Sequence, residues 1–204
     1  MEQELPLLVV ATRNAHKTGE IRAMLAGKWE VKDLSDYPQA PPVDETGVTF
    51  TENATLKALS ASRCIAGVLL ADDSGLEVDV LDGRPGVWSS SFGGEEGNHA
   101  RNNLRMMEEL RRAGVKPGDR PSARFRCVMV LAGNGRVLAE FSGSVEGYML
   151  TEPAGEGGFG YDPLFVPEGH DRSFAQLPME VKNSMSHRAR ALAQVVEWMK
   201  ERRA

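Results

Sequence analysis

The chain has 204 residues and a mass of 22.3 kDa, with 41% hydrophobic residues and a formal net charge of −5. A chain of this size and composition can bury a sizeable core and suits one globular domain, simple or two-lobed. Its pI near 5.5 excludes a general basic surface for duplex nucleic acid, but a local basic pocket for a small phosphorylated ligand remains compatible with it. We therefore expect no nucleic-acid partner.

Cysteine usage and the N-terminal sequence indicate the compartment. Cys64 and Cys127 each lie inside an apolar stretch, which favours buried reduced thiols over a disulfide framework or a metal site. No basic lead-in precedes the first apolar run, and Leu5 to Ala11 is too short to span a membrane. We expect a cytoplasmic protein with no membrane partner.

The first predicted strand is the apolar run Leu7 to Ala11, which a polar segment, Thr12 to Lys17, follows directly. A helix is predicted to begin in this polar segment. A strand, a polar turn and a helix start together can receive an anion through free backbone N–H groups and the helix dipole, and Lys17 adds charge. The alternative is that Thr12 or Asn14 merely caps the helix, and the segment alone does not decide between the two.

Trp29 to Leu34 is predicted to form a second strand, and a proline-rich connection follows it. Thr49 and Glu52 match a capping box, which predicts a helix that continues to Ile65 and carries Lys57. Glu45 lies in the loop before this helix, where an isolated acid is usually only solvated.

The segment Leu69 to Leu76 is predicted to hold the chemistry, because an apolar run there ends in two carboxylates, a hydroxyl and a glycine. We expect a buried strand up to Ala71, a sharp turn at Gly75 and a further strand after it. If both aspartates are extended, their side chains point to opposite faces of the sheet, so only one can serve a given ligand. Asp73 is predicted to be that residue, with Asp72 in support.

A helix is predicted over residues 98–113, with Leu104, Met107 and Leu110 on its buried face. Two strand candidates, residues 125–132 and 137–145, are separated by a segment whose Asn-Gly pair predicts a hairpin. We expect this hairpin to cover or extend the sheet.

The glycine-rich segment 152–163 suits a flat ligand, because glycines allow close backbone approach and aromatic rings can stack on a base. Asp162 could accept a ring N–H. The alternative is a tight surface turn with Phe159 in the core. Near the C-terminus, a helix with an apolar face from Leu192 to Met199 is predicted, and the positive charges at its start favour a nearby anion or carbonyl oxygen.

Five blocks of the sequence, in this order, closely resemble the inosine/xanthosine triphosphate pyrophosphatase family: Thr12–Lys17, Glu45–Ala54, Ala71–Leu76, Gly158–Pro163 and Ser186–Arg188. The resemblance spans nearly the whole chain. It implies one two-lobed domain over residues 1–204, with an α/β fold, an elongated mixed β-sheet in two α/β lobes and the active site in the cleft between them. It also implies a homodimeric, Mg2+-dependent enzyme that hydrolyses ITP, dITP and XTP to the monophosphate and pyrophosphate.

The resemblance further implies a role for each matching residue. Asp73 would be the proton acceptor and would serve the metal together with Glu45. The phosphates would be cradled by Thr12, Arg13, Asn14, Ala15, His16 and Lys17. Ser74, beside the catalytic acid, would touch the substrate, and Lys57 and Lys182 would add positive charge. The base would be held by Phe159, Gly160, Tyr161, Asp162, His187 and Arg188. One departure is Ser89-Ser90-Ser91-Phe92, where relatives often carry an arginine, so that contact is absent.

The residue chemistry agrees with this assignment. Water attack on a triphosphate needs cations on the phosphate oxygens and a group that orients the water, and Mg2+ commonly takes one or two carboxylates. Hypoxanthine and xanthine carry a carbonyl at C6, so donors from His187 or Arg188 would favour them over adenine. Three alternatives stay open: a pyrophosphatase with pyrimidine or modified-base preference, a nucleotide sensor without turnover, and a phosphatase with an aspartate nucleophile.

Overall fold

The computed structural model describes residues 5–202, so residues 1–4 and 203–204 of the predicted domain lie outside the described part. The fold is mixed α/β, which confirms the predicted class. The strands are β1 (Leu7–Val10), β2 (Glu30–Asp33), β3 (Val68–Val78), β4 (Ser122–Gly133), β5 (Arg136–Met149) and β6 (Phe165–Pro167). The helices are α1 (Ala15–Met24), α2 (Phe50–Cys64), α3 (His99–Arg112), α4 (Met179–Met185) and α5 (His187–Glu201).

The six strands form one sheet in the order β2-β1-β3-β4-β5-β6. β1 pairs in parallel with β2 and β3, whereas β5 and β6 are antiparallel. The predicted hairpin joins β4 to β5: Asn134 and Gly135 both have positive φ, 51° and 73°, as tight two-residue turns require. Because β4 lies between β3 and β5, the hairpin is part of the sheet and does not cover it.

The turn predicted at Gly75 is wrong. β3 continues without a break from Val68 to Val78, and Gly75 is buried inside it. The physical reason is tertiary pairing: within the described residues, β1 pairs with β3 only at Leu69 and Leu70, and β4 is hydrogen-bonded to β3 on its other side. Strand pairing outweighs the weak preference of one glycine for a turn.

Two compact units divide the chain. The first contains the chain up to Asp73, Cys127–Gly143 and the chain from Arg188 onward. Its core joins residues of β1, α1, β3 and β4 to the apolar face of α5. The α5 prediction is confirmed, since Leu192, Val195 and Met199 are buried.

The second unit contains Ser74–Arg126 and Ser144–His187, with its own core around Met106, Leu110 and several aromatic rings. Asn98 caps α3, as the predicted start of this helix requires. Leu104 was predicted to be buried and is wrong, because its side chain is 58% exposed. The buried stripe instead repeats every four residues through Asn102, Met106 and Leu110, which places Leu104 half a turn away.

The two cysteines differ. Cys127 is buried, as predicted, and burial raises its pKa to about 12. Cys64 is exposed, which contradicts the prediction. The core face of α2 is carried by Ala54, Ala58 and Ala61, and Cys64 lies off that stripe. Within residues 5–202, no helix combines the length and the apolar character needed to cross a membrane.

Candidate active site

A lysine on α2 joins two of the predicted acids in the first unit. Thr49 caps α2 by accepting a hydrogen bond from the Glu52 N–H, and two turns into the helix Lys57 extends its ammonium group toward β3. The Lys57 Nζ lies 2.8 Å from Glu45 Oε2 and 3.1 Å from Asp73 Oδ1. The structure therefore brings Glu45, Lys57 and Asp73 together, although they are far apart in sequence.

The second carboxylate oxygen of Asp73 lies in a buried environment. Asp73 Oδ2 accepts no hydrogen bond from the described residues, and the same is true of Asp72 Oδ1. Burial raises the pKa of the Asp73 carboxyl above its ordinary value, Glu45 raises it further, and Lys57 and Lys17 oppose the rise only in part. A carboxylate in this state is suited to accept a proton or to bind a cation.

Asp72 faces different partners, as the alternation along an extended strand predicts. Its Oδ2 lies 3.1 Å from Lys17 Nζ and 3.2 Å from Arg188 Nη2. Arg188 is fully buried and also pairs with Glu20 of α1. Burial raises the pKa of Asp72, but Lys17 and Arg188 outweigh it and hold the pKa well below the usual range. We call Lys17, Glu45, Lys57, Asp72 and Asp73 the acid–ammonium cluster.

The start of α1 is capped by Asn14, one of the two capping residues that the sequence offered. Asn14 Oδ1 accepts hydrogen bonds from the N–H groups of His16 and Lys17, at 3.0 and 3.2 Å. Two helix N–H groups are thus already bonded, and an anion here would depend more on side chains such as Lys17. Arg13 donates to the Ala40 carbonyl at 2.6 Å and holds the proline-rich connection.

In the second unit, the segment Gly158–Asp162, here called the aromatic loop, is built around a buried carboxylate. Asp162 Oδ2 accepts from the Phe159 N–H at 2.8 Å and from Lys182 Nζ at 2.5 Å. The ammonium group of Lys182 also lies 4.9 Å from the centre of the Phe159 ring. Gly158 has φ of 70°, and a Cβ there would lie 2.0 Å from Asp162 Oδ2, so only glycine fits.

The two rings of the aromatic loop have different exposures. Phe159 is half-buried. Tyr161 is buried and its hydroxyl donates to the Ser89 carbonyl at 2.8 Å, so the ring packs into the core and does not offer a face for stacking. Burial raises the pKa of the Tyr161 hydroxyl. His187 stacks on Phe125, with ring centres 4.9 Å apart.

The sequence did not single out several residues in these contacts. They are Glu20, which pairs with Arg188, and two residues of α3 that contact the aromatic loop, His99 and Asn103. A charged Glu20 one turn from Lys17 was a weak signal for the first. Nothing local marks the other two, because their partners lie 57 or more residues away in sequence. Ser74 lies half-buried in β3, immediately after Asp73.

The fold and the acid–ammonium cluster define a class: mixed α/β proteins that collect carboxylates and cationic side chains beside parallel strands and a helix start, where phosphorylated ligands bind. The comparisons specify the family. A sequence model of the Ham1 family matches residues 8–198. The dITP/XTP pyrophosphatase of Geobacillus kaustophilus is 47% identical over 195 residues, which cover 95% of this chain and 94% of that protein. The chain belongs to the Ham1 family.

Other relatives agree. The dITP/XTP pyrophosphatase of Geobacter sulfurreducens is 46% identical over 187 residues, 91% of this chain and 92% of that protein. A solved HAM1 protein from Coxiella burnetii superposes with a TM-score of 0.84 at 36% identity, covering 97% of this chain and all of that one. A dITP/XTP pyrophosphatase structure from Mycobacterium abscessus gives 0.72 at 37% identity, covering 93% of this chain and 98% of that one. These relatives confirm the resemblance seen in the five sequence blocks.

Proposed function

We propose that this protein hydrolyses non-standard purine nucleoside triphosphates, namely dITP, ITP and XTP, to the monophosphate and pyrophosphate. The relatives named dITP/XTP pyrophosphatase support this over nearly the full length of the chain. The structural observation that carries the proposal is the pair of carboxylates, Glu45 and Asp73, that share the ammonium group of Lys57. The reaction removes these nucleotides from the pool.

Asp73 is the proposed proton acceptor for the attacking water. Its Oδ2 has no hydrogen bond from the described residues to compete with a water, and burial raises the pKa of the Asp73 carboxyl in the metal-free protein. Asp72 does not suit this role, because Lys17 and Arg188 stabilise its ionised form. The two adjacent acids therefore have different roles: Asp73 accepts the proton, and Asp72 holds cationic side chains in place.

The phosphates are proposed to bind the segment Thr12 to Lys17, with Ser74 and Lys57 in contact with the substrate. Because Asn14 already caps two N–H groups of α1, the main attraction for the phosphates comes from the ammonium groups of Lys17 and Lys57. Both are anchored by carboxylates of the cluster, so they are held in position before substrate arrives.

Mg2+ is the proposed cofactor, with Glu45 and Asp73 as its protein ligands. The residues fit this ion: two carboxylates lie on one ammonium group, and one Asp73 oxygen is buried and unsatisfied. Among residues 5–202, no cluster of three or more His, Cys, Asp or Glu forms a full protein cage, and Mg2+ does not require one, since it retains waters and uses substrate oxygens. When bound, Mg2+ would neutralise phosphate charge and make water more acidic.

The base is proposed to be held by the aromatic loop together with Lys182, His187 and Arg188. Phe159 offers a half-buried ring for stacking. Tyr161 and Asp162 contribute through the shape of the loop, since the structure bonds both of them internally. Donors from His187 and Arg188 would favour a C6 carbonyl over the amino group of adenine. We also propose, from the family resemblance, a cytoplasmic homodimer that binds neither nucleic acid nor membranes.

The decisive experiment is an assay of the purified protein with Mg2+ against ITP, dITP, XTP, ATP, GTP and CTP, with both products identified. We expect pyrophosphate and the monophosphate from the first three and little turnover of ATP. Orthophosphate as the product would indicate an aspartate-nucleophile phosphatase, and faster CTP turnover would indicate a pyrimidine preference. Binding without turnover of any triphosphate would make the protein a sensor and defeat the proposal.

Chelation tests the cofactor. Turnover of ITP should fall to background in EDTA and return on addition of excess Mg2+, while the circular dichroism spectrum stays unchanged because both ligands also bond Lys57. Full activity in EDTA would contradict the metal assignment but not the choice of substrate.

A further inference from the structure

One feature of α3 connects it to the aromatic loop. Asn103 Nδ2 donates to the Gly160 carbonyl at 3.0 Å, and the ring of His99, one turn earlier on the same face of the helix, lies 6.0 Å from the ring of Phe159 with a 53° tilt. Residues at i and i+4 share a helix face. The first two turns of α3 therefore contact the loop at both its backbone and its half-buried ring.

Packing alone does not explain an asparagine at position 103. While Nδ2 bonds Gly160, the other end of the amide, Oδ1, is buried and has no hydrogen-bonding partner within residues 5–202. Leaving a buried acceptor unsatisfied is unfavourable, and an apolar side chain of similar size would avoid it. The bond to Gly160 is therefore the interaction that explains an asparagine at this position.

Gly160 is the point at which the loop most needs a support. Its φ is 63°, in the left-handed region, and no atom beyond its chain neighbours would contact a Cβ placed there. Phe159, directly before it, is held from one direction by the Asp162 carboxylate and by the ammonium group of Lys182. The bond from Asn103 fixes the peptide between Gly160 and Tyr161, and the His99 ring lies beside the Phe159 ring, so α3 restrains the loop on the other side of Phe159.

The same helix also holds the serine segment that departs from the family pattern. Asn102, next to Asn103, donates to the Ser90 carbonyl at 2.8 Å and accepts from the Gly93 N–H at 2.7 Å. The Ser89 carbonyl in turn accepts from the Tyr161 hydroxyl. The adjacent asparagines on α3 thus restrain the serine segment and the aromatic loop, which are also bonded to each other. The helix α3 therefore supports the aromatic loop both directly and through the serine segment.

We propose that Asn103 and His99 are positioning residues for base recognition: they hold Phe159 in the orientation in which a stacked purine presents its C6 group to the proposed donor His187. They thereby support the preference for hypoxanthine and xanthine over adenine. The inference rests on the proposed function, since it assigns the second support of the same base-binding loop. Neither residue is proposed to touch the reacting phosphorus or the metal.

The test compares two isosteric exchanges of an amide for a carboxylate. Asn103→Asp replaces the donor to Gly160 by an acceptor. Gln194→Glu is the matched control on α5, where the amide donates to the Ser142 carbonyl at 2.7 Å. For Asn103→Asp we expect a loss of about 5- to 20-fold in the ratio of kcat/KM for ITP over ATP, the size of one misplaced hydrogen-bonded support. The control should keep the wild-type ratio.

Inhibition by the two products distinguishes an effect on base binding from an effect on phosphate binding. In Asn103→Asp the inhibition constant of IMP should rise by a similar factor, while that of pyrophosphate should stay within about twofold of wild type, because only the base contact is disturbed. A merely structural role would lower the melting temperature and leave both constants unchanged. His99→Leu, which removes the ring without placing a charge in the loop, should shift the ITP/ATP ratio in the same direction and supplies the test if Asn103→Asp does not fold.

The outcomes distinguish the two proposals. A wild-type protein that turns over neither ITP nor XTP overturns the proposed function. An active wild type whose ITP/ATP ratio and IMP inhibition are unchanged in both the Asn103 and the His99 variants overturns the positioning role alone.

Discussion

The acid–ammonium cluster of the first unit and the aromatic loop of the second are held by different forces. In the cluster, opposite charges fix each other: Lys57 lies between Glu45 and Asp73, and Asp72 lies between Lys17 and Arg188. In the loop, one buried ion pair, Asp162–Lys182, acts together with backbone geometry, through glycines with positive φ and single hydrogen bonds. The difference teaches where a substitution acts: in the cluster it changes chemistry and charge balance, and in the loop it changes where a ring points.

The largest effect is expected from Asp73→Asn. The variant keeps the shape of the side chain but cannot accept the proton, so turnover of ITP should fall by about 10²–10⁴-fold. Its stability near neutral pH should be equal to or higher than that of wild type, because the raised pKa means that the folded state disfavours the ionised carboxylate. Substrate turnover and urea denaturation measure the two effects.

Asp72→Asn is the matched control one residue earlier. Here the folded state favours the ionised carboxylate, and removal of the charge leaves the buried Arg188 with less compensation, so we expect a loss of roughly 3–5 kcal/mol of unfolding free energy. If Asp73→Asn retained turnover, or if both variants lost equal stability, the division of roles between the two acids would be refuted.

Lys182→Met tests the buried ion pair that anchors the aromatic loop. Methionine preserves packing against the rings of Phe159 and Phe174 but removes the ammonium group from a buried pair whose side chains are 5% and 4% exposed. Breaking such a pair costs about 3–5 kcal/mol of unfolding free energy, measurable by urea denaturation.

The control for this variant is Arg124→Met, in the same unit, because Arg124 pairs with Asp79 and Glu146 at a partly exposed site. Loss of these surface pairs should cost about 1 kcal/mol or less. Equal losses in the Lys182 and Arg124 variants would show that burial of the Lys182 pair adds nothing.

A smaller effect separates two glycines of the aromatic loop. Gly158→Ala should destabilise the protein by about 2–3 kcal/mol, because the left-handed backbone conformation is strained for alanine and the new Cβ would meet the Asp162 carboxylate at 2.0 Å. Gly160→Ala has the same backbone strain but open space around its Cβ, so about 1–2 kcal/mol is expected. Thermal unfolding of both variants measures the difference, and a Gly160 variant that is the less stable of the two would contradict this account.

The pH dependence of stability is the smallest expected effect. In the metal-free protein, burial and Glu45 raise the pKa of Asp73 above its ordinary value. The folded state then holds this proton more tightly than the unfolded state, so the unfolding free energy contributed by Asp73 should decrease as the pH rises from the ordinary aspartate pKa through the raised one. Urea denaturation in EDTA at several pH values measures this decrease, and the same pH dependence in wild type and Asp73→Asn would contradict the raised pKa.

The sequence by itself determined the elements with strong local signals. The Thr49 cap, the Asn134-Gly135 turn and the apolar face of α5 were all predicted and are confirmed, because caps, tight turns and helical periodicity depend on residues within a few positions of each other. The five family blocks were equally readable, since residue identity at fixed spacing carries the resemblance.

Tertiary structure alone decided the remainder. It decided that β3 passes straight through Gly75, that Leu104 is exposed, and that α3 supports the aromatic loop. It also decided which acid is basic: Asp72 and Asp73 are identical neighbours in sequence, but their pKa values move in opposite directions. Arg188 adds to Lys17 and Lys57 in lowering the pKa of Asp72, whereas burial and the negative charge of Glu45 prevail at Asp73. Strand pairing, burial and the field of nearby charges depend on residues far apart in the chain, and no local pattern encodes them.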